Sequence, residues 1–290
     1  MRIFSLLVLV LFPFVLLHGQ DCTFASGAQM RAYLKHNPKR AQPLIMAHRG
    51  GPAAGYPENA MPTFARTLAE VPCPLIEFDV RMTKDSMLVL MHDNNLAVGT
   101  NGEGKLNKKT WESVRNLRLK GVDGKASTYT IPTLEEFLRW AKDKPLILVA
   151  DAKPGTDIRR VAAELDSRGV LAKSILVCYS IEDAQKIHRL KPDLTLALGF
   201  NSNDAVERIA KSGLPMNHLV ALAPRPKTPL ADNYYAPIHQ YGIPCSLGTD
   251  HDVDKLPMTE AAAQYRNRFE AGADIICTDR PVEVYGVFGK

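Results

Sequence analysis

The chain has no long run of lysine and arginine, and a formal charge of +5 over 290 residues is mild, so nothing in it demands nucleic acid as a partner. No Gly-x-Gly-x-x-Gly turn follows the first strand-like run, which argues against an open dinucleotide-binding sheet. The five cysteines, Cys22, Cys73, Cys178, Cys245 and Cys277, fit no zinc spacing and cannot all pair within one molecule. Cys178, Cys245 and Cys277 lie in apolar runs and read as small buried hydrophobes, while any disulfide pairing stays open. A stop-transfer pattern is also missing. The apolar run 3–17 behind Arg2 is too short to span a bilayer, so residues 1–20 read as a signal peptide cleaved after Gly19 or Gln20. The mature chain is then expected to be exported, periplasmic or extracellular, with no stable membrane span. Gln20 and Asp21 stand before Cys22 where a lipoprotein signal would have small residues, which disfavours a lipid anchor.

What is present centres on Leu75-Ile76-Glu77-Phe78-Asp79-Val80. An apolar run of strand length normally enters the core, yet this one carries two carboxylates two residues apart, which a period of two puts on one face. Like charges forced together in low dielectric repel or stay protonated, and a divalent cation relieves them. His48 closes the apolar run 44–47, and His92 closes the run 87–91. Each imidazole thus stands at the end of a strand-like segment, where parallel α/β folds place their chemistry.

In chain order, residues 26–35 have loosely helical spacing ended by Asn37-Pro38, a lead-in helix within 21–43. Helices are expected over 61–70, with Pro62 in the first turn, and after Thr133, which has Glu136 at capping-box spacing. Residues 94–130 are polar and rich in glycine and lysine, with one helical piece over 111–119, and read as an insertion within a barrel spanning 44–290. Strand-like runs start at Leu44, Ile76 and Leu146 and continue over 174–179, 194–199, 219–223, 243–247 and 274–278. Helical segments over 157–167, 181–190, 204–212 and 259–271 separate the later ones. Such alternation predicts a single-domain α/β fold, a closed (β/α)8 barrel with functional residues at the C-terminal strand ends.

In that geometry His48, Glu77, Asp79, His92, Asp151 and Lys153 converge on one mouth. Three carboxylates suit a hard cation, Ca2+ or Mg2+, better than zinc. Two flanking histidines suit general acid and base, and Arg49 and Lys153 could hold a phosphate. His36, His188, His218, His239 and His251 sit in helical or loop settings and read as surface. Asp250-His251-Asp252 reads as a solvated loop.

The ordered set His48-Arg49-Gly50, Pro57-Glu58-Asn59, Glu77-Phe78-Asp79-Val80, His92-Asp93, Ile131-Pro132-Thr133-Leu134-Glu135-Glu136 and Thr278-Asp279-Arg280-Pro281 resembles the motifs of the glycerophosphodiester phosphodiesterases. The resemblance implies a TIM-type barrel with an insertion after the His-Asp motif, and metal-dependent hydrolysis of glycerophosphodiesters to an alcohol and glycerol 3-phosphate. It carries metal ligation to Glu77, Asp79 and Asp151, acid-base catalysis to His48 and His92, and phosphate contact to Arg49 and Lys153. Three positions depart from the pattern. Ala60 replaces a threonine, and Asp151 stands where a glutamate is usual, as it does in related sphingomyelinase D-like phospholipases. Leu247-Gly248-Thr249 replaces a Trp-Thr pair and removes a wall from the pocket. The alternatives are a phospholipase D-like or C-like enzyme acting on intact lipid and an exported barrel that binds phosphodiesters without turnover.

Overall fold

Short apolar strands, each followed by a helix with one buried stripe, set the course of the chain. A computed structural model describes residues 22–202, 204–224, 230 and 233–289, so the expected signal peptide lies outside the described residues. Helix α1 (Gly27–Leu34) leads into strand β1 (Leu44–Ala47), helix α2 (Met61–Glu70) and strand β2 (Leu75–Met82). Strand β3 (Leu88–Leu90) comes next. Residues 94–130 then hold helices α3 (Leu96–Gly99) and α4 (Trp111–Val114) and strands β4 (Arg118–Lys120) and β5 (Ala126–Thr130). Alternation resumes with α5 (Leu134–Ala141), β6 (Ile147–Ala152), α6 (Ile158–Ser167), β7 (Ser174–Cys178), α7 (Ile181–Leu190) and β8 (Thr195–Gly199). It ends with α8 (Ala205–Lys211), β9 (Leu219–Leu222), α9 (Ala236–His239), β10 (Cys245–Gly248), α10 (Met258–Glu270), β11 (Ile275–Thr278) and α11 (Pro281–Phe288).

Strands β1, β2 and β6 through β11 pair in parallel, and β1 bonds to both β11 and β2, which closes an eight-stranded (β/α)8 barrel. Closure sorts side chains by parity. Leu44, Met46, Leu75, Ile147, Val149, Ile175, Val177 and Ile275 fill the interior, while Ile45, Ile76, Phe78, Leu148 and Ala150 face the helices. Glu77 and Asp79 share the parity of Leu75, and Asp151 and Lys153 that of Ile147. All four therefore belong to the inward row, above the apolar layers.

Helix α1 lies across the other end. Its Met30 and Leu34 join the interior cluster with Leu44 and Leu75, and a disulfide between Cys22 and Cys73 ties its approach to the turn before β2. Among the described residues Cys178 and Cys245 are buried and free, and Cys277 is half-buried. Helix starts follow local chemistry. Thr133 and Glu136 exchange a reciprocal capping box, and Asp157 and Ser180 cap α6 and α7 through their side chains.

Three expectations change. The run closed by His92 is not a strand that ends upward like the others: β3 pairs antiparallel with β2, Val80 opposite Leu90, so His92 is carried back toward the mouth. The piece expected to be helical over 111–119 is helix only as far as Val114, because Arg118 pairs with Thr130 in the hairpin of β4 and β5. His36 and His239 are not surface residues. Their rings stack 3.5 Å apart, and each bonds one oxygen of the buried Asp274, at 2.7 and 2.9 Å.

Candidate active site

Register decides which side chains meet. Pairing of Ala47 with Ile76 sets His48 beside Glu77, and pairing of Asp79 with Asp151 lays those two carboxylates side by side. One oxygen of each of Glu77, Asp79 and Asp151 lies within 4.8 Å of the others.

The loop after β1 is built to serve this cluster. Arg49, Gly50 and Gly51 take left-handed φ values of 50°, 86° and 83° in succession. A Cβ at Gly50 would stand 2.6 Å from the ring of Phe64, so both conformation and space require glycine there. The turn aims the Arg49 backbone N–H at Glu77 Oε2, 2.6 Å away, and its carbonyl accepts from the Asn59 N–H. A non-glycine residue held left-handed costs on the order of 1 kcal/mol or more, and such residues gather where geometry serves function. Asn59, also left-handed, grips Asp79 twice: Nδ2 donates to Oδ2 at 2.7 Å, and Oδ1 accepts the Asp79 N–H at 2.9 Å.

Two cations balance the carboxylates. Lys153 Nζ lies 2.7 Å from both Asp79 Oδ1 and Asp151 Oδ2. Arg49 donates to Glu58 at 2.7 Å and brings Nε to 3.7 Å from Asp79. The Tyr179 hydroxyl reaches both oxygens of Asp151, at 2.8 and 3.0 Å. His48 Nδ1 bonds Asp279 Oδ1 at 2.8 Å, and His92 Nδ1 lies 3.2 Å from Asp93. The Arg81 Nε donates to the His92 carbonyl at 2.6 Å, and the Met91 N–H to that of Asp79 at 2.9 Å, which fixes where the β3 arm returns.

Burial and neighbouring charge bend the ionisation of these groups. Burial, reinforced by Asp79, pushes Glu77 up to about 8. Burial would also raise Asp79, but Lys153 and then Arg49 outweigh it and hold that carboxyl below its usual range. For His48 burial acts downward, yet the bond to Asp279 and the charge of Glu77 prevail and push it up to about 9. Lys153 is raised in the same manner, with Asp79 and Asp151 overcoming its desolvation. A carboxylate trio that draws a lysine between two of its members and leaves the third buried and raised is short of positive charge. Its donors fit a hard divalent cation.

Every expected site residue lies around this mouth. His48, Glu77, Asp79 and Asp151 meet in the interior row, and His92 arrives on the returning arm. Arg49 and Lys153, expected to hold a phosphate, bond to carboxylates as well, Arg49 to Glu58 and Lys153 to Asp79 and Asp151. Four further groups belong to the site. Glu58, Asn59 and Asp279 stand within the sequence motifs, whereas Tyr179 carries no sequence signal. His36, His239 and Asp274 form a second cluster of metal-binding residue types. Its rings are parallel and 3.5 Å apart, so their in-plane lone pairs cannot converge on one ion, and the cluster is a hydrogen-bonded clasp.

The sequence pattern of the glycerophosphoryl diester phosphodiesterase family matches residues 48–283. A glycerophosphodiester phosphodiesterase of Bacillus subtilis is 32% identical over 171 residues, 52% of this chain and 57% of that protein. The matched stretch thus spans little more than half the length of that relative. A crystal structure of a glycerophosphoryl diester phosphodiesterase from Parabacteroides distasonis superimposes with a TM-score of 0.85 at 33% identity, covering 92% of each chain. The fold is shared as well with an Oleispira antarctica phosphodiesterase in complex with the product sn-glycerol-3-phosphate, with a TM-score of 0.67 at 18% identity over 86% of this chain and 98% of that one.

Proposed function

The chain belongs to the glycerophosphoryl diester phosphodiesterase family, and from that premise we propose that it hydrolyses glycerophosphodiesters to an alcohol and sn-glycerol 3-phosphate. The observation that carries this reading is the meeting of His48, braced by Asp279, with the carboxylates of Glu77, Asp79 and Asp151 at one barrel mouth. That product is also the ligand of the Oleispira antarctica enzyme.

Glu77, Asp79 and Asp151 would hold one divalent cation, Ca2+ or Mg2+. When bound, it supplies positive charge to the phosphate oxygens as charge develops on them. The remaining work falls to the chain's own side chains. Lys153 and Arg49 stand beside the carboxylates and take the other phosphate oxygens, Arg49 through its planar fork and Lys153 as a point charge. With Nδ1 held by Asp279, His48 exchanges protons at Nε2. His92, on the returning arm, is the second imidazole at the mouth. One imidazole removes a proton from the nucleophile and the other gives one to the departing alkoxide. Export of the mature chain accords with the Cys22–Cys73 disulfide, a bond that persists in oxidising compartments.

The test is hydrolysis of glycerophosphocholine and glycerophosphoethanolamine with Ca2+, Mg2+ or chelator, reading free alcohol and glycerol 3-phosphate. Activity restored by one of the ions after chelation is expected, and no turnover of either diester with either ion would overturn the reading. Asp151→Asn should shift the metal titration of activity to higher concentration, with turnover returning at saturation. An unchanged metal requirement would assign Asp151 to the pairing of Lys153 instead.

A further inference from the structure

Asp254 lies outside every motif and sits on the loop between β10 and α10, yet its carboxylate faces the end of β11. Its Oδ1 accepts from the hydroxyl of the fully buried Tyr265, at 2.7 Å. Its Oδ2 accepts twice, from Thr278 Oγ1 at 2.8 Å and from the Asp279 backbone N–H at 2.7 Å. The loop does not need this carboxylate merely to be held. The Asp254 N–H already donates to the Thr249 carbonyl, and Arg280 clamps the carbonyls of Asp254 and Leu256 while pairing with Glu283. Both contacts of Oδ2 fall on the two residues next to the Thr278–Asp279 peptide bond. The next side chain along is the Asp279 carboxylate, about a third exposed, and its Oδ1 takes His48 Nδ1.

We infer that Asp254 is a positioning residue for His48, acting through Asp279. Half-buried and fixed by three donors, the Asp254 carboxylate sets the backbone at Asp279 so that a side chain with little packing of its own points at one ring nitrogen. Neutral imidazole carries its single proton on whichever nitrogen has an acceptor. Asp279 therefore keeps the proton on Nδ1 and leaves the lone pair on Nε2. Without the Asp254 anchor, Asp279 is free to turn to solvent and the two tautomers mix. The assignment of Nε2 as the working atom rests on the proposed hydrolysis, whereas the tautomer itself is read without substrate.

Nitrogen-15 spectra of histidine-labelled full-length protein, with the His48 signals identified by the His48→Asn variant, report which nitrogen is protonated. Recorded at alkaline pH, where the ring is neutral, the wild type should show the Nδ1–H form. Asp279→Asn and Asp254→Asn should each move His48 toward a tautomer mixture and lower kcat by about tenfold to a hundredfold with KM little changed. Because Asp254 acts through Asp279, the double variant should be no worse than Asp279→Asn alone. Tyr265→Phe frees Oδ1 only and should give a smaller shift of the same sign, which keeps the test open if Asp254→Asn does not fold. A wild-type tautomer in both Asp254→Asn and Tyr265→Phe, or additive losses in the double variant, would overturn the assignment. Inactivity of the wild type on glycerophosphodiesters would sink the functional reading and leave the tautomer result standing.

Discussion

His48 answers to three neighbours at the mouth: Asp279 on one ring nitrogen, Glu77 and Arg49 by charge. General acid-base groups contribute about two to four orders of magnitude to turnover, so His48→Ala and His92→Ala should each lose that much while binding metal nearly as before. Steady-state rates beside calorimetric metal titration check both halves, and near wild-type turnover in either variant removes that histidine from the mechanism. Much of the site was legible residue by residue. Period-two spacing puts Glu77 with Asp79, and Asp151 with Lys153, on one face whatever the rest of the chain does. The grip of Lys153 on Asp79 was not legible, since it depends on which strand β6 lies beside. Tyr179 was hidden for the same reason: one tyrosine after an apolar run looks like any other until β7 is laid against Asp151.

At the scale of elements, the barrel strands and the longer helices could be read because each carries a full period of apolar residues. Helices α2 and α7 span the expected 61–70 and 181–190. Strand β3 was read as a run but not in direction, because a run of that length looks the same pointing either way; its pairing with Val80 decides. In 94–130, Trp111, Val114 and Leu117 imitate a helical stripe, and only the pairing of Arg118 with Thr130 ends the helix. Helix α1 is held by packing and by the Cys22–Cys73 disulfide, which closes a sequence separation of 51 residues. Loop-closure entropy for that length is worth about 4 kcal/mol. Cys73→Ser should therefore lower the free energy of unfolding by an amount of that order, and reductant should do the same to the wild type but not to the variant. Denaturant titration with and without dithiothreitol measures both, and equal stability in all four samples would show that the tether adds nothing.

For the molecule as a whole, the site makes folding depend on pH. His48 is raised from its ordinary 6.5 to about 9, so the folded chain holds this proton more tightly than the unfolded chain does. The resulting stabilisation is full below pH 6.5 and is lost as pH climbs through 9. By linkage it amounts to between about 3 and 4 kcal/mol at most. Glu77, lifted to about 8, acts in the same sense, since the folded chain keeps a proton that the unfolded chain has already released. In chelator these two groups should make stability fall from pH 4.5, where the unfolded Glu77 releases its proton, up to pH 9, and the double variant His48→Asn with Glu77→Gln should flatten that part of the curve. A wild-type curve already flat across that range would show that neither proton is linked to folding.

The layered apolar interior and the α1 helix across its base leave the carboxylates at the bottom of a well rather than along a tunnel. Traffic through a well is two-way. On the proposed reaction the diester would come in, and the alcohol and glycerol 3-phosphate would leave, by one door, so a monoester still resting on Lys153 and Arg49 would stand in the path of the next substrate. The order in which the two products depart would then govern how soon the site is free again.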